Sequence, residues 1–331
     1  MKGMQPFALV TGATGAVGPA LVAELLQHGY RVRVLSRHQP ASSIFSDSVE
    51  FITGDVCDRE TVRAAMSDVQ QVFHLAALLH ITNPSPKLRA EYERVNVGAT
   101  QIVAEEAARA GAQQLIYFST VKVYGVNSAQ PITEDHSVNP QTEYAITKLA
   151  GERAALDHMA TTVLRLSPIY GAHLRGSWRY LLMGIQRGLF LPVGDLKNVR
   201  SLTYVEDAAR AALLVAQYPE SIRQVYNLVA HDAVSMAMIF DAIYDAFGKH
   251  RPRITLPKAI IQPGATLMEM GLGLIGKRSP LTSENLAQLT QSETYSGAKL
   301  RELGFQPQVS LEEGWQCTIK VMLAKTGKNH R

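Results

Sequence analysis

Phe7-Ala8-Leu9-Val10-Thr11-Gly12-Ala13-Thr14-Gly15-Ala16-Val17-Gly18 is the stretch of this 331-residue chain that decides its fold. Phe7 to Val10 is an apolar run of strand length, and residues 17–27 follow as a helix with Gly29 as its stop signal. Between them Gly12, Gly15 and Gly18 recur every third residue. Such glycines permit a tight turn and a close approach of backbone to a pyrophosphate. The helix start then offers free N–H groups and a positive dipole end. A plain strand–helix corner also uses glycine, so the motif gains its weight from its place between a strand and a helix.

The same alternation continues outward. Strands are expected at residues 31–35, 49–53, 71–76, 114–118 and 162–166, and helices near 61–66, 92–110 and 144–159. This rhythm predicts an α/β fold, a Rossmann-type doubly wound parallel sheet with helices on both faces. After Pro168 the rhythm breaks, then a helix at 207–217 and a strand at 225–228 return to the sheet. Residues 1–168, with 201–230 returning, read as a dinucleotide-binding body. Residues 169–200 and 235–324 read as a smaller, mostly helical substrate region, and 325–331 as a flexible tail.

Composition excludes several classes. Apolar residues make up 46% and charged residues 19%, an ordinary soluble balance, and the net charge of +4 is scattered without a nucleic-acid stripe. The two cysteines, Cys57 and Cys317, show no metal or disulfide spacing, and no histidine does either. No signal-type apolar run precedes Phe7, and residues 259–276 are broken by Gln262, Pro263 and Glu269, a poor membrane span. The expectation is a cytoplasmic protein with a small-molecule substrate, no nucleic-acid partner, no integral membrane segment and no metal.

Three groups carry chemistry. At the end of the second strand an NAD site usually has an acid, but this chain has Ser36-Arg37. Arg37 can meet a 2′-phosphate, which leans towards NADP over NAD; the other reading is a solvated surface arginine. Asp55, after the third strand, sits at the edge where adenine would lie, or simply forms a turn. Tyr144 and Lys148, four apart on one helix, suit proton transfer. A neighbouring ammonium and a cationic nicotinamide are together expected to lower the phenol from its usual value of about 10. Tyr295 and Lys299 repeat the spacing, but in the C-terminal region, where a structural role is expected. Ser119 and Thr120 close the fifth strand at the ligand-binding sheet edge, or make a turn there.

Together TGATGAVG, GDVCD, HLAA (74–77), RVNVGAT (94–100), YFSTVKVYG (117–125), YAITK (144–148), RLSPIYG (165–171) and TYVEDAARA (203–211) resemble the extended short-chain dehydrogenase/reductase family, the group of NAD-dependent epimerases/dehydratases and 3-beta-hydroxysteroid dehydrogenases. The resemblance implies that Gly12, Thr14, Gly15, Ala16, Val17 and Gly18 cradle the phosphates. It places Asp55 and Val56 at adenine, and Ala76, Ala77 and Asn96 along the cofactor cleft; Asn96 also reads as a helix-packing amide. Pro168 and Ile169 would approach the nicotinamide. Thr120 would take the substrate hydroxyl, with Ser119 as the alternative, and Tyr144 with Lys148 would be the acid/base pair. The family also implies a homodimer through two sheet-flanking helices.

For the substrate, Arg200 matches an arginine of sugar-nucleotide members. Yet Ser167 replaces their asparagine, and residues 288–300 lack their second arginine. Residues 279–289 and 297–315 look more like the hydroxysteroid branch. Leu181, Leu182, Met183, Ile185, Leu189 and Phe190, with Met268, Met270, Leu272 and Leu274, can form an apolar wall or simply core. The leading expectation is an NAD(P)-dependent oxidoreductase of a lipophilic secondary alcohol or ketone. The alternatives are a nucleotide-sugar epimerase/dehydratase that retains NAD, and a non-catalytic NAD(P)-binding sensor.

Overall fold

A computed structural model describes residues 5–39, 44–79, 86–125, 131–172, 177–259, 261–263, 286 and 289–328. Its centre is a seven-stranded, wholly parallel sheet. The strands are β1 (Phe7–Thr11), β2 (Arg31–Ser36), β3 (Glu50–Thr53), β4 (Gln71–His74), β5 (Gln114–Thr120), β6 (Thr161–Leu166) and β9 (Val225–Leu228). Their spatial order is β3-β2-β1-β4-β5-β6-β9. The order reverses direction between β1 and β4, which is where doubly wound sheets open a ligand crevice.

Strand periodicity explains the layers. Along β1, Ala8 and Val10 join the core that holds helices α1 (Gly18–Gln27) and α7 (Val205–Gln217), while Leu9 faces the opposite core with α2 (Arg59–Ala65), α4 (Ala99–Arg109) and α5 (Glu143–His158). Every residue of β1, β4 and β5 is buried, as expected of strands covered on both faces. Helix α1 buries Leu21, Val22 and Leu25 and stops at Gly29, whose φ of 78° suits a residue without Cβ.

The remainder forms a second layer. Strands β7 (Ile169–Tyr170), β8 (Val199–Tyr204) and β10 (His231–Ser235) make a separate three-stranded sheet in the order β10-β8-β7. Helices α6 (Ser177–Gln186), α8 (Met236–Ala246), α9 (Ala298–Glu302) and α10 (Leu311–Lys328) are the helices described in this part of the chain. Trp315 of α10 is fully buried, stacked on Tyr170 at 4.7 Å between ring centres and 5.4 Å from Trp178 of α6.

Four expectations change. Residues 201–204 lie in the small sheet as part of β8, so the chain's return to the body begins at α7. The single helix expected at 92–110 starts earlier, as α3 (Pro86–Tyr92), and widens into a π-helical stretch at Glu93–Gly98 before α4. Strand β4 ends at His74, two residues short. Of the expected tail, residues 325–328 continue α10. Met268, Met270, Leu272 and Leu274 lie outside the described residues. So do most of residues 279–289.

Candidate active site

The crevice is lined first by the β1–α1 turn. Gly12 has φ 71°, and a Cβ there would stand 2.5 Å from the Ala76 nitrogen. At Gly18 a Cβ would fall on the Ala13 carbonyl. Both positions therefore exclude any side chain and keep the turn thin. No side chain caps α1 at Val17, and no acid stands in its first turn. Its leading N–H groups are thus neither capped nor opposed by negative charge, which fits a dinucleotide pyrophosphate. Thr14, Gly15 and Ala16 form the rest of this turn.

Behind the turn is a buried polar chain. Thr11 Oγ1 lies 2.7 Å from His74 Nδ1, and His74 Nε2 lies 3.0 Å from Thr100 Oγ1. Burial pushes the His74 imidazole down to about 3, so it stays neutral and acts as a spacer between hydroxyls. Asn96 follows the packing reading, not the cleft one. Its amide accepts from Leu78 N at 2.7 Å and donates to Leu78 O at 3.2 Å and Thr147 Oγ1 at 3.1 Å. It is fully buried, so it holds the Ala76-Ala77-Leu78 segment against α5 rather than facing the cleft. The wide turn at Glu93–Gly98 carries it there, the sort of distortion found at functional sites.

At the far end of the crevice, Asp55 receives a hydrogen bond from Cys57 N at 3.0 Å and one from Arg94 at 3.3 Å. Burial raises its carboxyl, but these bonds outweigh burial and hold it below the usual range. Val56 beside it is partly buried. Ser36 donates to the His38 carbonyl, whereas Arg37 is exposed. Arg94, bound also to Glu91 at 2.6 Å, adds a second guanidinium that sequence reasoning missed. The wide helical turn that brings it to Asp55 leaves no mark in the sequence periodicity.

At the sheet edge, Thr142 caps α5 by accepting from Ala145 N, and the helix then carries Tyr144, Lys148 and Glu152 at successive i,i+4 positions. Thr120, whose hydroxyl accepts from Lys122 N at 3.3 Å, lies close enough to the Tyr144 phenol to favour its ionised form. Burial pushes that phenol up to about 12, with Thr120 opposing. Desolvation sets the direction, and Lys148 is not among the groups that lower the phenol. The lysine itself is only 1% exposed, with Nζ 4.0 Å from the centre of the Tyr117 ring. Burial lowers its ammonium to about 7, against the pull of Glu152. Glu152 is equally buried: Arg165 donates to it at 2.7 Å and 3.1 Å, and Ser119 Oγ donates to it as well. Ser119, expected as a substrate contact, is therefore committed to the interior. Glu152 was missed, although its place one turn after Lys148 was a usable signal. Pro168 and Ile169 follow β6 at the same edge, where Pro168 accepts from Thr203 N at 3.0 Å.

The second Tyr/Lys pair is elsewhere. Tyr295 is fully buried beside Tyr124, ring centres 6.1 Å apart, and Lys299 Nζ donates to the Val225 carbonyl at 2.9 Å. Arg200 is buried and donates to Glu293 at 2.5 Å, while Lys122 also reaches Glu293, at 3.2 Å. A carboxylate thus occupies the segment searched for a second arginine. Leu181, Leu182 and Ile185 belong to the core, and Leu189 points to solvent at 80% exposure, so the expected apolar wall is not formed by these four.

Residues 8–228 match the NAD dependent epimerase/dehydratase family. Over 313 residues the chain is 28% identical to sterol demethylase protein B of Methylococcus capsulatus, covering 90% of this chain and 93% of the relative. It is 25% identical over 330 residues to UDP-glucose 4-epimerase of Vibrio cholerae, covering 95% of each. Among solved structures, MoeE5 in complex with UDP-glucuronic acid and NAD superposes with a TM-score of 0.75 at 28% identity, covering 96% of this chain and 99% of that one. With the glycine cradle, the 3-2-1-4-5-6 strand order and a Thr–Tyr–Lys edge all in one chain, this protein belongs to the NAD-dependent epimerase/dehydratase group of extended short-chain dehydrogenase/reductase enzymes.

Proposed function

We propose that the protein is an oxidoreductase acting on a lipophilic secondary alcohol or ketone, with Tyr144 as proton donor and acceptor, Lys148 as its electrostatic partner and Thr120 as the hydroxyl that orients the substrate oxygen. The observation that carries the chemistry is the convergence of Thr120, the last residue of β5, with the phenol of Tyr144, whose helix also buries Lys148. A phenol held near 12 is protonated at neutral pH, ready to give its proton to a carbonyl oxygen. A bound nicotinamide would supply or receive the hydride. The Gly12–Gly18 turn would hold its pyrophosphate, Asp55 its adenine, and Lys148 the adjacent ribose. Arg37, with no carboxylate at the end of β2, supports a preference for NADP over NAD.

The substrate class rests on Arg200. A diphosphate needs converging, available guanidinium groups, whereas Arg200 is buried against Glu293. A nucleotide diphosphate would have to approach that carboxylate. The likeness to MoeE5, solved with UDP-glucuronic acid, supports the second reading, a nucleotide-sugar epimerase or dehydratase. Residues 169–200 and 235–324 are the proposed substrate region, and a homodimer through α4 and α5 is the proposed assembly. The test is a panel of sterol-like secondary alcohols and ketones with both cofactors, alongside calorimetry with UDP and UDP-hexoses. Turnover of the lipophilic panel without UDP binding is expected. Micromolar UDP binding that vanishes in Arg200→Ala overturns the substrate class.

A further inference from the structure

The three most exposed large apolar side chains among the described residues are Leu189 at 80%, Ile254 at 74% and Tyr180 at 72%. All three belong to one neighbourhood. Lys249 Nζ donates to the carbonyls of Ile185 and Gln186 at the end of α6, at 3.1 Å and 2.5 Å. Leu256 N donates to Pro192 O at 2.8 Å, and Gly194 N to Leu256 O at 2.9 Å. The parallel bridge of Val193 with Leu256 brings Leu191, also exposed, opposite Ile254. Tyr180 stands two helical turns before Arg187, on the same outer stripe. The turn is fastened from beneath, by Phe190 against Phe240 and by the Tyr244 hydroxyl on the Phe190 carbonyl. Leu189 and Ile254 take no part in that fastening.

The charge around these side chains has one dominant sign. Arg179, Arg187, Arg253 and Lys258 are exposed, and none holds an ion-pair partner among the described residues. Elsewhere, from Arg31 to Arg301, most arginines hold a carboxylate. Residues 177–194 and 246–268 contain no Asp or Glu at all. Of the flanking acids, Asp241 is spent on Arg251 at 2.5 Å, and Asp195 and Asp245 stand just outside the two stretches. Exposed Leu, Ile and Tyr set among unpaired arginines fit the headgroup–acyl boundary of an anionic bilayer, where the apolar tips leave water and the guanidinium groups meet lipid phosphates. No helix among the described residues is long and apolar enough to cross a membrane.

We propose that the face formed by α6, the 187–193 turn and residues 249–258 docks on the surface of an anionic phospholipid bilayer. The docking face lies within the proposed substrate region but uses none of the cofactor-crevice residues, so cofactor titration separates its failure from failure of the catalytic reading. The experiment is flotation of the full chain with vesicles of phosphatidylcholine alone and of phosphatidylcholine mixed with phosphatidylglycerol, at low and high salt. Binding to the mixed vesicles only, released by salt, is expected. Arg187→Gln with Arg253→Gln should weaken it by about 25-fold, roughly fivefold for each basic residue at the surface. Leu189→Ser with Ile254→Ser should weaken the low-salt binding, with circular dichroism and cofactor titration unchanged. Equal binding to both vesicle types, or variants that bind like wild type, overturns the proposal. So does a wild-type dimer that Leu189→Ser with Ile254→Ser splits into monomers, because the face is then an interface between two copies of this chain.

Discussion

Replacing Lys148 by methionine should make the protein more stable while removing most of its activity. The ammonium is 1% exposed, and burial lowers it from 10.5 to about 7. A fall of that size corresponds to about 4 kcal/mol of unfavourable burial at neutral pH. Methionine keeps most of the volume and lays a thioether on the Tyr117 ring. Glu152 is not orphaned by the change, because Arg165 and Ser119 still donate to it. The pH dependence follows from the direction of the shift. Below about 7 the lysine is charged in both folded and unfolded chains, and the whole cost is present. Between about 7 and 10.5 the folded chain has released its proton and the unfolded chain retains it, so wild-type stability rises with pH. The variant lacks this term, and its advantage should shrink towards pH 10.5. Thermal melts by circular dichroism, without nucleotide, should place the Tm of Lys148→Met roughly 5–10 °C above wild type at neutral pH. The margin should be smaller at alkaline pH. A variant that melts lower at neutral pH, or a gap that widens with pH, refutes the reasoning.

Tyr144→Phe should cost about 10²–10⁴-fold in turnover while leaving cofactor affinity unchanged. Tyr295→Phe should keep full activity, and the melting temperature should hold or rise, because the Tyr295 hydroxyl is buried without a hydrogen-bond partner among the described residues. Steady-state kinetics and melts on both variants decide between the two pairs, and a dead Tyr295→Phe would place the site wrongly. Glu152→Gln should destabilise by about 3–5 kcal/mol through the uncompensated Arg165 charge. It should also move the alkaline limb of kcat/KM to lower pH, since Glu152 favours the Lys148 ammonium; an unmoved limb means that Glu152 only supports the fold. Arg37→Ala should weaken NADPH by about ten- to a hundredfold, the range of a charge-assisted hydrogen bond, and leave NADH alone. Fluorescence titration of both nucleotides checks this, and a wild type that prefers NADH contradicts it.

Local pattern made the body of the fold legible. Gly12, Gly15 and Gly18 between an apolar run and an amphipathic helix leave little freedom, and the β-α rhythm carried the sheet through β6. Burial of side chains was less legible. Only the family resemblance favoured Thr120 over the adjacent hydroxyl of Ser119, and strand alternation supplies the physical reason, turning Ser119 under α5 to Glu152 and leaving Thr120 at the phenol. Asn96 faces inward because the helix widens at Glu93–Gly98, and nothing in a 3.6-residue period announces one wide turn. The Arg200–Glu293 contact joins segments 93 residues apart, a distance over which pattern says nothing. The desolvation of Tyr144 was not legible either, because a neighbouring charge can be counted from sequence spacing, whereas desolvation depends on everything packed around the ring.

The tryptophan pair gives the molecule a localised optical reporter. Trp178 and Trp315 are the chain's two tryptophans, and they sit 5.4 Å apart at the joint of α6, β7 and α10. Because both indoles lie there, emission excited selectively in the tryptophan band originates at that joint and reports on whether the C-terminal helix is seated. Circular dichroism, by contrast, averages over every helix and strand. Coincident transitions in the two signals mean that the joint and the sheet come apart together, and an earlier loss of indole signal means that α10 lifts away while the nucleotide-binding sheet is still intact.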